Sequence, residues 1–373
     1  MPKIALEPEL CSLYTLRVQR TQGLNLLPTE DDLVGVNEIA EIAGVSRQAV
    51  ANWRARFPDF PTPIAELRAG PVFRGGQVRA WLRKRKVPMA RVVSLINLKG
   101  GVAKTTTTVA LAETLAAHFG KRILVIDLDP QTNATTMLIG EKRWKQINEK
   151  GWTLATLFKD ALDPSNKSFD IDKTLQKHVS DVQGAEKVDL LPSSLDLIDV
   201  QDKLASAPTG QFYSVTPIDL LRLAVKSKLE DYDLVLVDCP PNLGIITLNG
   251  LRISEGYIIP TVPDVLSTYG IPQIIKRVGN FAKEIGEKIE PLGIVLTKYQ
   301  ENSTIHVNVS NNLRKENDSP VFKTVVRQAN QIAAAAEMQT ERRTLKQKYG
   351  YGDDLAARYV ELAAELLAKL EID

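Results

Sequence analysis

Cysteine and histidine are scarce, with two of the first and three of the second in 373 residues. Cys11 and Cys239 are too few for a disulfide framework and lack CxxC spacing, so structural metal is not expected and a reducing cytoplasm is. His118, His178 and His306 are scattered without ligand spacing and read as surface or packing residues. No apolar run approaches the roughly 20 residues that a membrane span requires. The opening MPKIALEPELCSLY also lacks the continuous apolar stretch of a signal peptide.

What is present is an ordinary globular composition, 44% apolar and 25% charged, in a chain long enough for two unequal domains. The net charge of +2 conceals an asymmetry: between Val34 and Arg91 eleven Lys/Arg stand against Glu38, Glu41, Asp59 and Glu66. A basic excess packed into so short a segment points to a polyanionic partner. The chain divides by pattern into residues 1–33, with a helical stretch around Glu9–Gln22, then 34–88, then 89–373. In the last region apolar runs alternate with helical patterns: Val92–Leu98, Ile123–Asp127, Val188–Leu191, Leu234–Asp238, Gly256–Val262, Leu292–Thr297 and Val321–Thr324. Continuous Val/Ile/Leu runs separated by helices predict an α/β fold, a doubly wound and mostly parallel sheet covered on both faces.

The first of these runs leads into Lys99-Gly-Gly-Val-Ala-Lys-Thr-Thr106 and then a helix-forming stretch, Thr107–Phe119. Strand, glycine turn, Lys-Thr and helix start make a phosphate cradle, because the turn's N–H groups and the helix dipole both face a bound anion. Lys104 is expected on β/γ-phosphate oxygens and the Thr105 hydroxyl on Mg²⁺. The GxxxxGK[ST] pattern is not met, since Leu98 and Ala103 stand where it requires glycine.

The segment instead resembles the deviant Walker A motif KGGxGKTT of the ParA/MinD ATPases, matched at Lys99, Gly100, Gly101, Lys104, Thr105 and Thr106. The resemblance implies a P-loop NTPase fold, with Val102 and Ala103 completing the nucleotide loop and Lys99 reaching the partner's nucleotide in an ATP-sandwich homodimer. Ala103 departs from the motif where positive φ is common and a Cβ costs about 1–2 kcal/mol. Ile123–Thr135 resembles the family segment D-x-D-P-Q-G-N-A-T, which implies Asp129 as the residue orienting the attacking water and Asp127 near the metal. Asp231–Pro241 resembles the Walker B strand and second switch, implying Asp238 as the water-mediated Mg²⁺ partner. Leu292–Tyr299 and Val321–Arg327 resemble the strands beside the adenine pocket, which adds Thr297, Lys298 and Arg327 as nucleotide-site candidates. The resemblance covers roughly residues 90–370 and implies slow ATP hydrolysis stimulated by a ParB-like centromere-binding protein.

The middle region has its own signature. Ala40-x-x-x-Gly44-Val45-Ser46 has helix-turn-helix spacing, with Gly44 for the turn and Ser46 as N-cap of the second helix. There Val45, Ala49, Val50 and Trp53 fall on one face, leaving Arg47, Gln48, Ala51 and Asn52 outward to read base edges. The remainder of the region resembles a MerR- or excisionase-like winged helix, with Pro71–Arg74 as wing strand and Gln77–Lys86 as closing helix. Arg74, Arg83, Lys84, Arg85 and Lys86 are then phosphate contacts. Arg342, Arg343, Lys346 and Lys348 form a second basic group, a candidate for nonspecific DNA contact.

The resemblance, with the helix-turn-helix in front, implies a cytoplasmic, nucleoid-associated, ATP- and Mg²⁺-dependent DNA-partition ATPase that also regulates its own operon; the alternative is a nucleotide-sensing transcriptional regulator with little turnover. A membrane-positioning role similar to MinD is disfavoured because Leu355–Leu370 carries Glu361 and Glu365 against only Arg358 and Lys369. An electron-transfer role of nitrogenase iron-protein type lacks its cluster cysteines.

Overall fold

The computed structural model describes residues 33–43, 47–68, 70–84, 90–163, 165–206, 216–315, 319–330, 334–350 and 355–372. The chain splits into two compact units, Met1–Pro88 and Met89–Asp373.

In the first unit, strand β1 (Leu33–Gly35) runs into helices α1 (Val36–Ala43) and α2 (Arg47–Arg56), followed by strands β2 (Ala65–Leu67) and β3 (Gly70–Arg74) and helix α3 (Gly75–Lys84). The antiparallel sheet has the order β1-β3-β2. The side chain of Glu38, in the first turn of α1, accepts from Gly35 N at 3.0 Å and satisfies a donor at the helix start. Val34, Ile39, Ala40, Val50, Trp53, Phe60, Phe73, Val78 and Trp81 form the core. Phe60 lies edge-on to Phe73 and Trp81, with centroids 5.6 and 4.7 Å away. The expected wing strand is half of a hairpin, β2 pairing β3 from Ala65↔Val72 to Leu67↔Gly70. β1, which the sequence pattern did not reveal, adds the third strand.

The second unit holds seven strands: β4 (Arg91–Leu95), β5 (Ile123–Asp127), β6 (Val188–Leu191), β7 (Leu234–Asp238), β8 (Gly256–Thr261), β9 (Glu290–Tyr299) and β10 (Val321–Arg327). Their order is β10-β9-β8-β4-β7-β5-β6, and every pairing is parallel. All seven expected runs are strands. The run from Val92 continues past the end of β4 because Ile96 stays buried as loop, 1% exposed. Alternate residues feed two cores: Val93 and Leu95 of β4 enter one with Val109, Leu111 and Leu115, while Val92 and Ile96 enter the other with Phe158, Leu251 and Ile274. Burial on both faces explains the continuous apolar strands. Helices α4 (Lys104–Phe119), α5 (Asn133–Glu149), α6 (Val265–Thr268), α7 (Ile271–Glu284), α8 (Leu345–Tyr349) and α9 (Leu355–Leu370) are among those that flank the sheet. No helix among the described residues is long and apolar enough to cross a membrane. Cys239 is a buried free thiol, and Cys11 lies outside the described residues.

Candidate functional site

The chain order reverses around β4, whose neighbours are β7 on one side and β8 on the other. Such a switch point opens a crevice at the carboxyl ends of the strands, and the Lys99–Thr106 loop leaves β4 there. Gly101 has φ 75°, and a Cβ at Gly100 or Gly101 would meet nothing within 4 Å. Both glycines therefore border open space. Ala103 adopts φ 61°, the left-handed region that a glycine would take without strain. Three contacts fix the loop from below. Asn97 Nδ2 donates to Pro260 O at 2.8 Å, Lys99 N donates to Asn97 Oδ1 at 2.9 Å, and Thr297 Oγ1 donates to Val102 O at 3.0 Å.

Lys104 opens α4 with its side chain buried, Nζ donating to Lys99 O at 3.2 Å across the turn. Burial lowers its pKa, opposed by the charges of Asp238 and Asp129. Thr105 Oγ1 donates to Asp238 Oδ2 at 2.7 Å, and Thr108 Oγ1 lies 3.3 Å from Asp238 Oδ1. Thr106 is half-buried beside them. Asp238 ends β7 fully buried; burial, with the charge of Asp129, pushes its pKa up to about 7 against the opposing effects of Thr105, Lys104 and Thr108. A hydroxyl and a carboxylate converging beside a lysine are hard-oxygen donors suited to Mg²⁺ near phosphate.

Asp127 ends β5 as the register partner of Asp238. Its carboxylate is enclosed by protein donors: Oδ1 accepts from Asp129 N at 3.1 Å, and Oδ2 accepts from Thr135 N at 2.8 Å and Thr135 Oγ1 at 2.7 Å. Burial, and then the charge of Asp238, raise its pKa well above the usual carboxylate value. Asp129 is also buried, its Oδ1 accepting from Gln131 N at 2.9 Å. Lys99 is the exposed lysine of the loop, its Nζ 2.9 Å from Ser267 Oγ and 3.4 Å from Asp264 Oδ1 at the start of α6.

Thr297, Lys298 and Arg327 end β9 and β10 at the same sheet edge. The Thr297 hydroxyl is committed to the Val102 carbonyl, Lys298 is exposed with φ 48°, and Arg327 is ion-paired with Glu301. Asn97, Thr108, Thr135 and Ser193 were not singled out from sequence. Asn97 could have been, as the one amide in an otherwise apolar run.

On the first unit, Arg47, Gln48, Ala51, Asn52 and Arg74 are exposed. Gln48 Nε2 donates to Asn52 Oδ1 at 3.2 Å along α2, while Val50 and Trp53 turn into the core. Gly44, Val45, Ser46, Arg85 and Lys86 lie outside the described residues, as do the side chains of Ala49, Arg83 and Lys84.

The C-terminal basic group is not the open surface expected. Lys348 is fully buried, its Nζ 2.7 Å from both Glu113 Oε1 and Asp181 Oδ1. Arg343 is buried against Asp181 at 2.6 Å, and Arg342 pairs with Glu186. Arg343 and Lys348 serve internal carboxylates, leaving Arg342 and Lys346 exposed.

Sheet, loop and helix together define a P-loop nucleoside triphosphatase fold. The family model described as AAA domain matches residues 90–291, more than half of the chain. Chromosome-partitioning ATPase Soj of Thermus thermophilus is 30% identical over 282 residues, spanning 75% of this chain and 97% of the relative. Sporulation initiation inhibitor protein Soj of Bacillus subtilis is 28% identical over 238 residues, spanning 64% of this chain and 84% of the relative. The solved structure of cobyrinic acid a,c-diamide synthase from Mycobacterium smegmatis, with bound ATP analog and magnesium, is 25% identical with a TM-score of 0.55, covering 76% of this chain and 96% of that one. The chain belongs to the Soj/ParA family of P-loop ATPases.

Proposed function

We propose that this chain is a Mg²⁺-dependent ATPase that partitions DNA, with a winged helix-turn-helix in residues 34–88 as a sequence-specific DNA reader. The observation that carries the reading is the convergence of Lys104, Thr105 and Asp238 below an open Gly100-Gly101 turn, with Thr105 Oγ1 2.7 Å from the Asp238 carboxylate. The names of the Soj relatives and the ATP analog and magnesium in the mycobacterial structure support it.

In this reading the turn's N–H groups and the start of α4 bind the phosphates of ATP, and Lys104 neutralises the β/γ oxygens. Thr105 and Asp238 hold Mg²⁺, which supplies charge neutralisation and orientation of the phosphates. Asp127 is the support of the following loop rather than a metal ligand, because both its oxygens already accept from protein donors. Asp129 orients the attacking water. Lys99 exchanges its contacts with Asp264 and Ser267 for the nucleotide of a second subunit, coupling ATP binding to dimerisation. Arg47, Gln48 and Asn52 read base edges while Arg74 and the basic end of α3 contact phosphate. A ParB-like partner stimulates hydrolysis, in the cytoplasm and on the nucleoid.

The test is ATP turnover and DNA binding by wild type and Lys104→Ala, with Mg²⁺ and with or without a ParB-like protein encoded nearby. The variant should lose at least about a hundredfold in turnover, since it removes a charge aimed at the transferring phosphoryl group. Unchanged turnover and DNA binding would refute the P-loop assignment; tight ATP binding by wild type without partner-stimulated turnover would favour the sensor-regulator alternative.

A further inference from the structure

We propose that Ser193 is a positioning residue for Asp129, acting with Thr135 through the main chain of the loop; this rests on Asp129 being the water-orienting carboxylate. Asp129 stands two residues beyond β5, and so short a side chain points where its own peptide lets it. That peptide is gripped at both ends. Its N–H donates to the Asp127 carboxylate at 3.1 Å, and its carbonyl accepts from Ser193 Oγ at 2.7 Å.

Ser193 is fully buried just past the end of β6, the strand that pairs with β5. Its own N–H donates to Thr135 Oγ1 at 3.0 Å, and that hydroxyl donates onward to Asp127 Oδ2 at 2.7 Å. Trp144 Nε1 donates to the Ser193 carbonyl at 3.3 Å and fixes the serine from behind. Both grips on Asp129 therefore meet in one connected set of hydrogen bonds.

Two observations separate positioning from mere satisfaction of buried polar atoms. The Asp129 carbonyl already accepts from Thr132 N at 2.9 Å, so the Ser193 hydroxyl adds direction to a group that has a partner. Thr132, a β-branched residue, is also held at φ 57° and is 4% exposed. Backbone strain of this kind persists only where the surroundings over-determine the conformation. Ser193 braces the strained turn from the loop that follows β6.

The test compares steady-state ATP hydrolysis and ATP-analogue affinity for the full chain as wild type, Ser193→Ala, Thr135→Val and Thr135→Ser. Ser193→Ala should lower kcat by at least about tenfold while KM and analogue Kd stay within about threefold, the signature of a misplaced catalytic group on an intact binding site. Thr135→Val, which keeps shape and removes the hydroxyl, should show the same split, and Thr135→Ser should return most of the rate. Wild-type kcat in Ser193→Ala and Thr135→Val, or equal losses of kcat and nucleotide affinity, would overturn the proposal. Should Ser193→Ala fail to fold, the Thr135 pair decides alone. A wild-type chain with no ATP turnover under any condition would overturn the proposed function and this assignment with it.

Discussion

At the scale of single residues, two loops of the site carry side chains where the motifs they resemble have glycine. Ala103 and Thr132 both hold left-handed φ, 61° and 57°. Ala103→Gly should therefore stabilise the protein by about 1 kcal/mol, partly offset by the freedom glycine gains when unfolded; urea denaturation showing no gain would count against the strained geometry. The raised carboxyls give a second expectation. A folded pKa above the unfolded one means stability that is fully present below the ordinary value of 3.8 and lost as pH rises through about 7, for Asp238. Without nucleotide or Mg²⁺, melting temperature should fall between about pH 4 and about pH 7, and Asp238→Asn should flatten that slope. An equally steep slope in the variant would assign the effect elsewhere. The meeting of Lys104, Thr105 and Asp238 was legible because short motifs at strand ends place side chains locally. The loop's supports were not: Thr297 braces Val102 from 195 positions away.

At the scale of elements, strands were more readable than charged runs. Seven apolar runs marked seven strands because both faces of the sheet are buried, so their pattern needs no knowledge of partners. The basic run from Arg342 to Lys348 misled because its neighbours come from distant sequence, Asp181 at a separation of 167 and Glu113 at 235. Lys348 anchors α8 to the middle of α4, with the Tyr349 hydroxyl donating to the same glutamate at 2.5 Å. Lys348→Met should cost about 3–5 kcal/mol, because it strands the buried Glu113 without its cation and leaves Asp181 with Arg343 alone. Chemical denaturation of wild type and variant measures it, and a loss within error would mean that the network is dispensable. Asp181 contributes in the opposite pH direction from Asp238. Although burial raises its pKa, Lys348 and the hydrogen bonds from Gln339 and Arg343 bring it below the usual value. Its contribution is present above the ordinary carboxylate pKa and lost on acidification below it.

At the scale of the whole molecule, two units with separate cores correspond to two chemistries in the proposed function. Expressed as residues 89–373, the chain should keep ATP turnover within about threefold and lose sequence-specific DNA binding. Operator binding retained by that fragment would move the reader out of residues 34–88. β1 was too short to show a periodicity. The register of the sheet also limits how this chain can vary. Asp127 and Asp238 face each other as the last register pair of adjacent parallel strands. Deleting one residue inside β5 or β7 would turn every later side chain to the opposite face, carrying the carboxylate out of the crevice while leaving an apolar strand that still pairs. Single-residue insertions and deletions are thus confined to the connections, and an odd change in the length of either strand comes together with the loss of the site.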